Sequence, residues 1–293
     1  MTSQHTHDHG GAHAHDSATS PGSAASQGAM TVLLDLDGEV LHDYWSAALD
    51  WVSGAAGTGT TRVLDLGAGT GTGALGLAER FPGAEVIAVD VEPGSLTRLR
   101  DKAAGRGLAG RVRELEFDLD AGWPDLGPVD LTWASMSLHH LADPGRVLGD
   151  ALAATRPGGL IAVAEFAEPL RFLPPGPGFG QPGFEDRLVE RLGRAHADAL
   201  PTLGSAWAPR LADAGWAVTG EREFPVDLDP PAHPRAAEYA RAWFARLADG
   251  FTDQLEPADQ ATLAALLGGD GLSRGAGLRI RGTRTVTLAR RAA

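Results

Sequence analysis

Residues 62–90 read RVLDLGAGTGTGALGLAERFPGAEVIAVD, and this segment specifies the architecture of the whole chain. Its first five residues, Arg62–Leu66, form a largely apolar run that is typical of a strand buried on both faces of a sheet. A glycine-rich turn follows, Thr72–Arg80 has the apolar spacing of a helix, and Glu85–Val89 predicts a second strand. Asp90 then lies at the carboxyl end of that strand. Because open α/β sheets bind ligands beyond the carboxyl ends of their strands, the segment predicts a ligand site at this edge.

The glycine-rich turn is Gly67-Ala68-Gly69-Thr70-Gly71, and Asp65 precedes it. Glycine tolerates positive φ and lets the backbone approach a ligand closely. An acid about 20 residues beyond such a turn is well placed to accept both ribose hydroxyls, so Asp90 indicates a nucleoside. A carboxylate at Asp65 would repel a pyrophosphate but would attract a sulfonium or an amino group.

A second glycine pattern matches the dinucleotide fingerprint GxGxxG by its letters. It consists of Gly71, Gly73 and Gly76, which lie within the predicted helix. A pyrophosphate loop has to precede its helix, so that free N–H groups point at the phosphate. We therefore interpret this second match as accidental, and an NAD(P)-dependent oxidoreductase is the less favoured alternative.

The run Asp65-Leu66-Gly67-Ala68-Gly69-Thr70-Gly71 resembles the first motif, (D/E)xGxGxG, of the class I S-adenosylmethionine-dependent methyltransferases. The resemblance continues through most of residues 64–165. It implies a Rossmann-like α/β fold with a seven-stranded sheet, mostly parallel with an antiparallel terminal hairpin, and helices on both faces. It also implies S-adenosyl-L-methionine as cofactor and a small-molecule acceptor methylated on oxygen, nitrogen or carbon. A catalytically silent protein that binds the same cofactor is the alternative.

The resemblance assigns cofactor contacts to the ends of four predicted strands. Asp65 and the glycine turn would hold the methionine half, Asp90 the ribose, and Asp118 the adenine amino group. The last contact needs an acceptor beside an apolar wall. The full set of expected contacts is Asp65, Gly67, Ala68, Gly69, Gly71, Asp90, Val91, Asp118, Leu119, Ala134 and Ser135.

Candidate substrate and catalytic residues lie on either side of this core. His139 and His140 follow the fourth predicted strand, where a neutral imidazole can remove a proton from an acceptor hydroxyl or amine. Alternatively, either histidine caps or packs against the next helix. The resemblance places Tyr44, Trp45 and His42 at the substrate pocket, and the alternative is that these aromatic residues pack on the helical layer of the sheet.

The chain divides into a tail and one domain. Residues 1–29 have low complexity and are predicted to be disordered, with no catalytic metal and only incidental metal binding by His5, His7, His9, His13 and His15. Residues 30–293 form the methyltransferase domain. Within it we predict a helical lid (30–60), a cofactor-binding core (61–166), and substrate-side helices with the terminal strands (167–293), including a helical insertion before the last strand.

Two breaker-rich segments follow the fourth strand. Arg156–Gly159 (RPGG) is predicted as a tight turn before a fifth strand at Leu160–Ala164. Pro169–Gly183 is predicted as an irregular loop that forms a lid or a pocket wall.

Composition bounds the function classes. The formal net charge of −13 argues against an extended nucleic-acid surface, and the absence of cysteine excludes a disulfide framework and a cysteine nucleophile. No apolar run approaches the ~18 residues of a membrane span. We expect a cytoplasmic protein with a small-molecule substrate and no nucleic-acid or membrane partner. The fourth strand also lacks the (N/D)PPY-type signature of many protein and nucleic-acid methyltransferases.

Overall fold

The computed structural model describes residues 21–196, 200–229, 231–268, 272 and 277–293, with the backbone alone at 21–27, 196 and 251. The five tail histidines lie outside the described residues. A seven-stranded sheet has the order β3-β2-β1-β4-β5-β7-β6, in which β7 runs antiparallel to both of its neighbours. The other neighbouring pairs are parallel, so the predicted fold is confirmed. The strands are β1 (Arg62–Leu66), β2 (Glu85–Asp90), β3 (Val112–Glu116), β4 (Val129–Ser135), β5 (Thr155–Arg171), β6 (Ala217–Leu228) and β7 (Ile280–Arg290).

Helices cover both faces of this sheet. They are α1 (Pro21–Val40), α2 (His42–Ala56), α3 (Thr72–Arg80), α4 (Pro93–Gly105), α5 (Pro144–Ala154), α6 (Phe184–His196), α7 (Trp207–Asp213), α8 (Ala236–Phe251) and α9 (Pro257–Leu267), with 3₁₀ turns at Leu138–His140 and Thr252–Gln254. Two starts follow directly from the sequence. Glu92 and Asp143 accept backbone N–H groups as N-caps of α4 and α5, and each is followed by a proline. No helix in the described ranges combines the length and apolar character needed to cross a membrane.

The sheet divides the hydrophobic core into two clusters. Neighbouring residues of β1 contribute to opposite sides, since Val63 packs with α2 and α3 while Leu64 packs with α5. This alternation is the period-two pattern of a strand that is covered on both faces. The doubly covered sheet leaves its carboxyl edge as the place where loops from several strands meet.

Two sequence predictions about element boundaries were wrong. The helix α1 begins at Pro21, so the predicted disordered tail does not extend to residue 29. The strand β5 is also much longer than predicted and contains the RPGG turn as an irregularity, because Thr155 pairs with Val129 while Leu160 pairs with Leu131. Its far end pairs with β7 as far as Arg171, so hydrogen bonding across the sheet overrides the breaker Pro169.

Candidate active site at the carboxyl edge of the sheet

The glycine turn is held by the ends of two parallel strands. The N–H groups of Gly67 and Ala68 both donate to the carbonyl oxygen of Val89, at 2.8 and 2.9 Å. The N–H of Gly69 donates to Oδ2 of Asp90 at 2.7 Å, and the N–H of Glu92 donates to Oδ1 at 2.9 Å. Asp90 therefore fixes the turn against β2. Each of its oxygens keeps a lone pair that can accept a ribose hydroxyl.

The glycines of this turn are required by both conformation and space. Gly67, Gly69 and Gly71 have φ of 69°, 52° and 86°, in the left-handed region that glycine alone adopts without strain. A Cβ at Gly67 would lie 2.3 Å from Cβ of Ser137. The turn is thus built for close packing, with Gly67–Gly69 half-buried and Thr70 and Gly71 buried.

Asp65 is a buried carboxyl group at the end of β1. Its side chain is 2% exposed, and its Oδ2 has no hydrogen-bond partner. Burial, reinforced by the nearby charge of Asp90, raises the pKa of Asp65 to about 8. On β4 the indole Nε1 of its register neighbour Trp133 is also buried without a partner. A buried carboxyl group with a free oxygen fits a cationic amino group such as that of S-adenosylmethionine.

The remaining predicted cofactor residues lie at the same edge. The N–H of Phe117 donates to the carbonyl oxygen of Asp90 at 3.0 Å, which brings the chain after β3, with Asp118 exposed and Leu119 buried, next to the end of β2. Val91, the residue after β2, is 63% exposed.

The end of β4 completes this arrangement. Ala134 pairs with Leu66 of β1, and Ser135 follows it with an Oγ that has no hydrogen-bond partner. Met136 then has a φ of 54°, the only positive value for a non-glycine residue in the described ranges. Such backbone strain of a non-glycine residue is concentrated at functional sites. The fold thus brings together the predicted residues of β1, β2, β3 and β4.

The two adjacent histidines differ in their burial. His139 is 4% exposed, and its Nδ1 lies 2.7 Å from Oε2 of Glu165, which is 3% exposed at the carboxyl-edge end of the parallel part of β5. His140 is exposed, and its ring centroid lies 4.2 Å from that of His139. His139 is therefore buried and paired with a buried carboxylate.

A buried ionic cluster links α1, α2, α8 and β7, and the sequence did not predict it. Arg284 is 1% exposed and binds both carboxylate oxygens of Asp37. Asp37 also accepts hydrogen bonds from Nε1 of Trp45 at 2.9 Å and from the hydroxyl of Tyr239 at 2.7 Å. The guanidinium carbon of Arg284 lies 4.6 Å from the ring centroid of Tyr44. The predicted substrate residues Tyr44 and Trp45 are thus members of this cluster.

His42 does not join them. Its exposed Nδ1 lies 3.4 Å from Asp43, so the prediction that it faces the pocket was wrong. It occupies the first turn of α2 together with the exposed Asp43, and Tyr44 is the next buried residue.

The helix α1 lies across the glycine turn. The side chain of Leu34 comes within 3.1 Å of the position a Cβ would take at Gly69. On the same helix Asp35 accepts Nζ of Lys102 and Nε of Arg98, both at 2.7 Å. These ion pairs fasten α1 to α4. The helix α1 is thus packed against the glycine turn and tied to α4.

Residues 63–159 match the family described as "Methyltransferase domain". A trans-aconitate 2-methyltransferase of Methylobacterium radiotolerans is 32% identical over 194 residues, covering 57% of this chain and 71% of that protein. A demethylmenaquinone methyltransferase of Thermus thermophilus is 43% identical over 109 residues, covering 37% of this chain and 48% of that protein. The chain spans about half or less of the length of the Thermus thermophilus protein and of two further curated relatives.

Solved structures agree on the fold. An O-methyltransferase family protein from Burkholderia thailandensis superposes with a TM-score of 0.51 at 17% identity, covering 92% of this chain and 60% of that chain. The chain belongs to the class I S-adenosylmethionine-dependent methyltransferases.

Proposed function

We propose that this protein transfers the methyl group of S-adenosylmethionine to a small-molecule acceptor. The observation that carries the proposal is the carboxyl edge itself, where a glycine turn is fastened to Asp90 beside the buried, unpartnered oxygen of Asp65. Asp90 can thus accept the ribose hydroxyls, and Asp65 can bind a positively charged group. The relatives whose names record menaquinone and trans-aconitate methylation support a small acceptor.

The residues have distinct parts in the proposed reaction. Asp65 and the backbone of Gly67–Gly71 hold the methionine half, Asp90 the ribose, and Asp118 the adenine amino group, beside Val91 and Leu119. When bound, the cofactor supplies an electrophilic methyl group on a cationic sulfur. The protein contributes mainly by holding that methyl and the acceptor in line, which converts an encounter of two molecules into a step within one complex. His139, rather than the exposed His140, is the residue we assign to proton removal.

We further propose that the molecule acts in the cytoplasm as one domain and does not bind nucleic acid. Its net charge of −13 would repel a phosphate backbone. Residues 30–60 serve as a lid, and the helices beyond residue 166 lie on the acceptor side. Incidental metal binding by the tail histidines stays a prediction.

Isothermal calorimetry tests the cofactor assignment directly. Purified protein is titrated with S-adenosylmethionine, S-adenosylhomocysteine, NADH and NADPH, alongside Asp90→Ala and the surface control Asp43→Ala. We expect both sulfur nucleosides to bind the wild-type protein and the control. We expect Asp90→Ala to lose about 100-fold or more in affinity, because two hydrogen bonds to a charged group contribute about 1.5–3 kcal/mol each. Binding of NADH or NADPH alone would contradict the proposal.

A turnover assay separates an enzyme from a silent binding protein. Transfer of an isotope-labelled methyl group is followed with trans-aconitate, a demethylated quinol and a panel of phenols as acceptors. Labelled product that disappears with Asp90→Ala supports the enzyme. Tight cofactor binding without product from any acceptor class favours the silent alternative.

A further inference from the structure

Two elements that lie side by side at the carboxyl edge bring His139 and Glu165 together. Ser135 of β4 pairs with Ala164 of β5, and the N–H of Met136 donates to the carbonyl oxygen of Ala164 at 2.9 Å. This bond directs the chain after β4 alongside the next residue of β5, which is Glu165. The Nδ1–Oε2 distance of 2.7 Å is therefore set by the sheet register and not by a flexible surface contact.

We propose that Glu165 positions His139 as a general base, and that the acceptor is a molecule with a hydroxyl group rather than a carboxylate. This inference rests on the proposed function. An ionised Glu165 keeps the proton of the imidazole on Nδ1, which leaves the lone pair of Nε2 free to take a proton. A carboxylate acceptor already has its nucleophilic oxygen and needs no such base.

The surroundings of the pair argue against a purely structural role. Oε1 of Glu165 is buried and has no hydrogen-bond partner. Leaving such an oxygen unsatisfied costs stability, and a carboxylate kept for the fold alone is expected to have both oxygens paired. A carboxylate acceptor at His139 would bring a second negative charge next to Glu165, which disfavours an anionic acceptor.

Other charged and aromatic groups around His139 do not replace this function. His140 stacks from the same turn, and the ring of Phe166 lies 6.2 Å from the His139 ring on the β5 side. Beyond Phe166 the positive charge of Arg284 is neutralised by Asp37. Glu165 is thus the carboxylate in direct contact with the imidazole.

The proposed step balances in atoms and charge. The oxygen of the acceptor forms a bond to the methyl carbon with an electron pair of its own, while the bond between sulfur and that carbon breaks. Sulfur keeps that electron pair and becomes a neutral thioether. The hydroxyl proton moves to Nε2 of His139 and is later released to water, so the products are a methyl ether, S-adenosylhomocysteine and one proton.

The first test needs no acceptor. In protein saturated with S-adenosylhomocysteine, ¹H–¹⁵N NMR that correlates ring protons with ring nitrogens reports the His139 tautomer, assigned with His139→Gln. We expect the proton on Nδ1 in the wild-type protein. In Glu165→Gln an amide N–H₂ group can donate to Nδ1 and move the proton to Nε2. The matched control is Glu168→Gln, an exposed carboxylate on the same strand, which should keep the wild-type tautomer. A wild-type proton on Nε2 overturns the proposal.

The second test compares two acceptor classes, with 4-methylumbelliferone as the hydroxyl probe and trans-aconitate as the carboxylate probe. We expect methylation of the phenol to fall about 100-fold or more in His139→Gln and about tenfold or more in Glu165→Gln, with cofactor affinity unchanged.

The outcomes distinguish the proposed methyl transfer from the assignment of Glu165 and His139 to a hydroxyl acceptor. Methylation of trans-aconitate but not of the phenol overturns this inference and leaves the proposed function standing. Equal phenol rates in Glu165→Gln and Glu168→Gln also overturn it. A protein that binds no S-adenosylmethionine overturns both.

Discussion

The ionisation of the buried Asp65 couples ligand binding to the release of a proton. The fold removes its carboxyl group from water, and Asp90 adds a second negative charge nearby, so the pKa of Asp65 rises from 3.8 to about 8. Between these two pH values the folded protein without cofactor holds one proton that the unfolded chain has released. The contribution of Asp65 to stability therefore falls as the pH increases through this range. A bound cationic group next to Asp65 would offset this loss of stability.

The affinity for S-adenosylmethionine should consequently increase with pH. A bound ammonium group favours the ionised form of Asp65, so binding releases a proton below about pH 8. We expect an increase approaching tenfold per pH unit between about pH 5.5 and 7, where the amino group of the ligand is almost fully charged. Calorimetry in two buffers of different ionisation enthalpy measures the proton release directly.

The variant Asp65→Asn supplies the control for this prediction. It should bind more weakly and show neither the proton release nor the increase with pH. A wild-type affinity that stays constant over the range, or the same slope in both proteins, would contradict the assignment of Asp65 to the amino group.

Single residues were predictable from the sequence where a local motif contains them. Asp65, the glycine turn and Asp90 lie within one continuous segment, so their relative positions follow from a strand, a turn and a helix. The contact between His139 and Glu165 joins a 3₁₀ turn to a strand across 26 positions, and Arg284 contacts Asp37 across 247 positions. No periodic pattern marks such pairs, because the sheet register and the helix packing create them.

At the scale of elements, α1 depends on its ion pairs as much as on its apolar face. Asp37 lies on α1, its partner Arg284 on β7, and its hydrogen-bond donors Trp45 and Tyr239 on α2 and α8. Burial alone would raise the pKa of Asp37, but the charge of Arg284 and these hydrogen bonds hold it below its usual value. One carboxylate thus fastens four elements beside the proposed acceptor space.

Replacing this carboxylate should destabilise the protein strongly. Asp37→Ala leaves the guanidinium of Arg284 buried without its counter-charge, and breaking a buried pair in this way costs about 3–5 kcal/mol. Urea denaturation followed by circular dichroism measures the change in the free energy of unfolding. The exposed acid Asp43 offers the control, since Asp43→Ala should stay within about 0.5 kcal/mol of wild type.

A double variant tests the cause of this loss. Arg284→Met together with Asp37→Ala removes the uncompensated charge and should recover part of the stability lost in Asp37→Ala. If Asp37→Ala lowers the free energy of unfolding by less than about 1 kcal/mol, or if the double variant recovers none of it, the ion pair does not hold α1 in place.

Element boundaries were predictable where caps and breakers act locally. The predicted helix at Thr72–Arg80 agrees with the structure, and α5 begins at the proline that follows the cap Asp143. The prediction failed at β5, where Pro169 suggested a loop but pairing with β7 extends the strand. The backbone N–H groups of Phe172 and Leu173 then donate to Glu185 at 2.6 and 3.0 Å, which orders the beginning of the predicted loop. These bonds are tertiary, so local propensity does not indicate them.

At the scale of the whole molecule, the hydrophobic core lies on the two faces of the sheet, and the candidate active site lies at its carboxyl edge. Two hydrophobic clusters cover its faces, while the unpartnered polar atoms of Asp65, Ser135 and Glu165 lie toward its carboxyl edge. The global topology was predictable because one continuous segment defines the first two strands, and its first motif resembles that of a family with a seven-stranded sheet and an antiparallel terminal hairpin. The position of α1 was not, since nothing local to residues 21–40 specifies contact with Gly69.

Cofactor binding should therefore stabilise the whole chain and protect α1 in particular. S-adenosylhomocysteine at about 100 times its dissociation constant should raise the free energy of unfolding by about 2.7 kcal/mol, because it binds only the folded state. Hydrogen exchange followed by mass spectrometry should show slower exchange in residues 31–40, since Leu34 packs on the turn that the ligand would occupy. Asp90→Ala should lose both effects at the same ligand concentration. Stabilisation without added protection of α1 would mean that the helix packs on the glycine turn without covering the cofactor, and the assignment of residues 30–60 as a lid would fail.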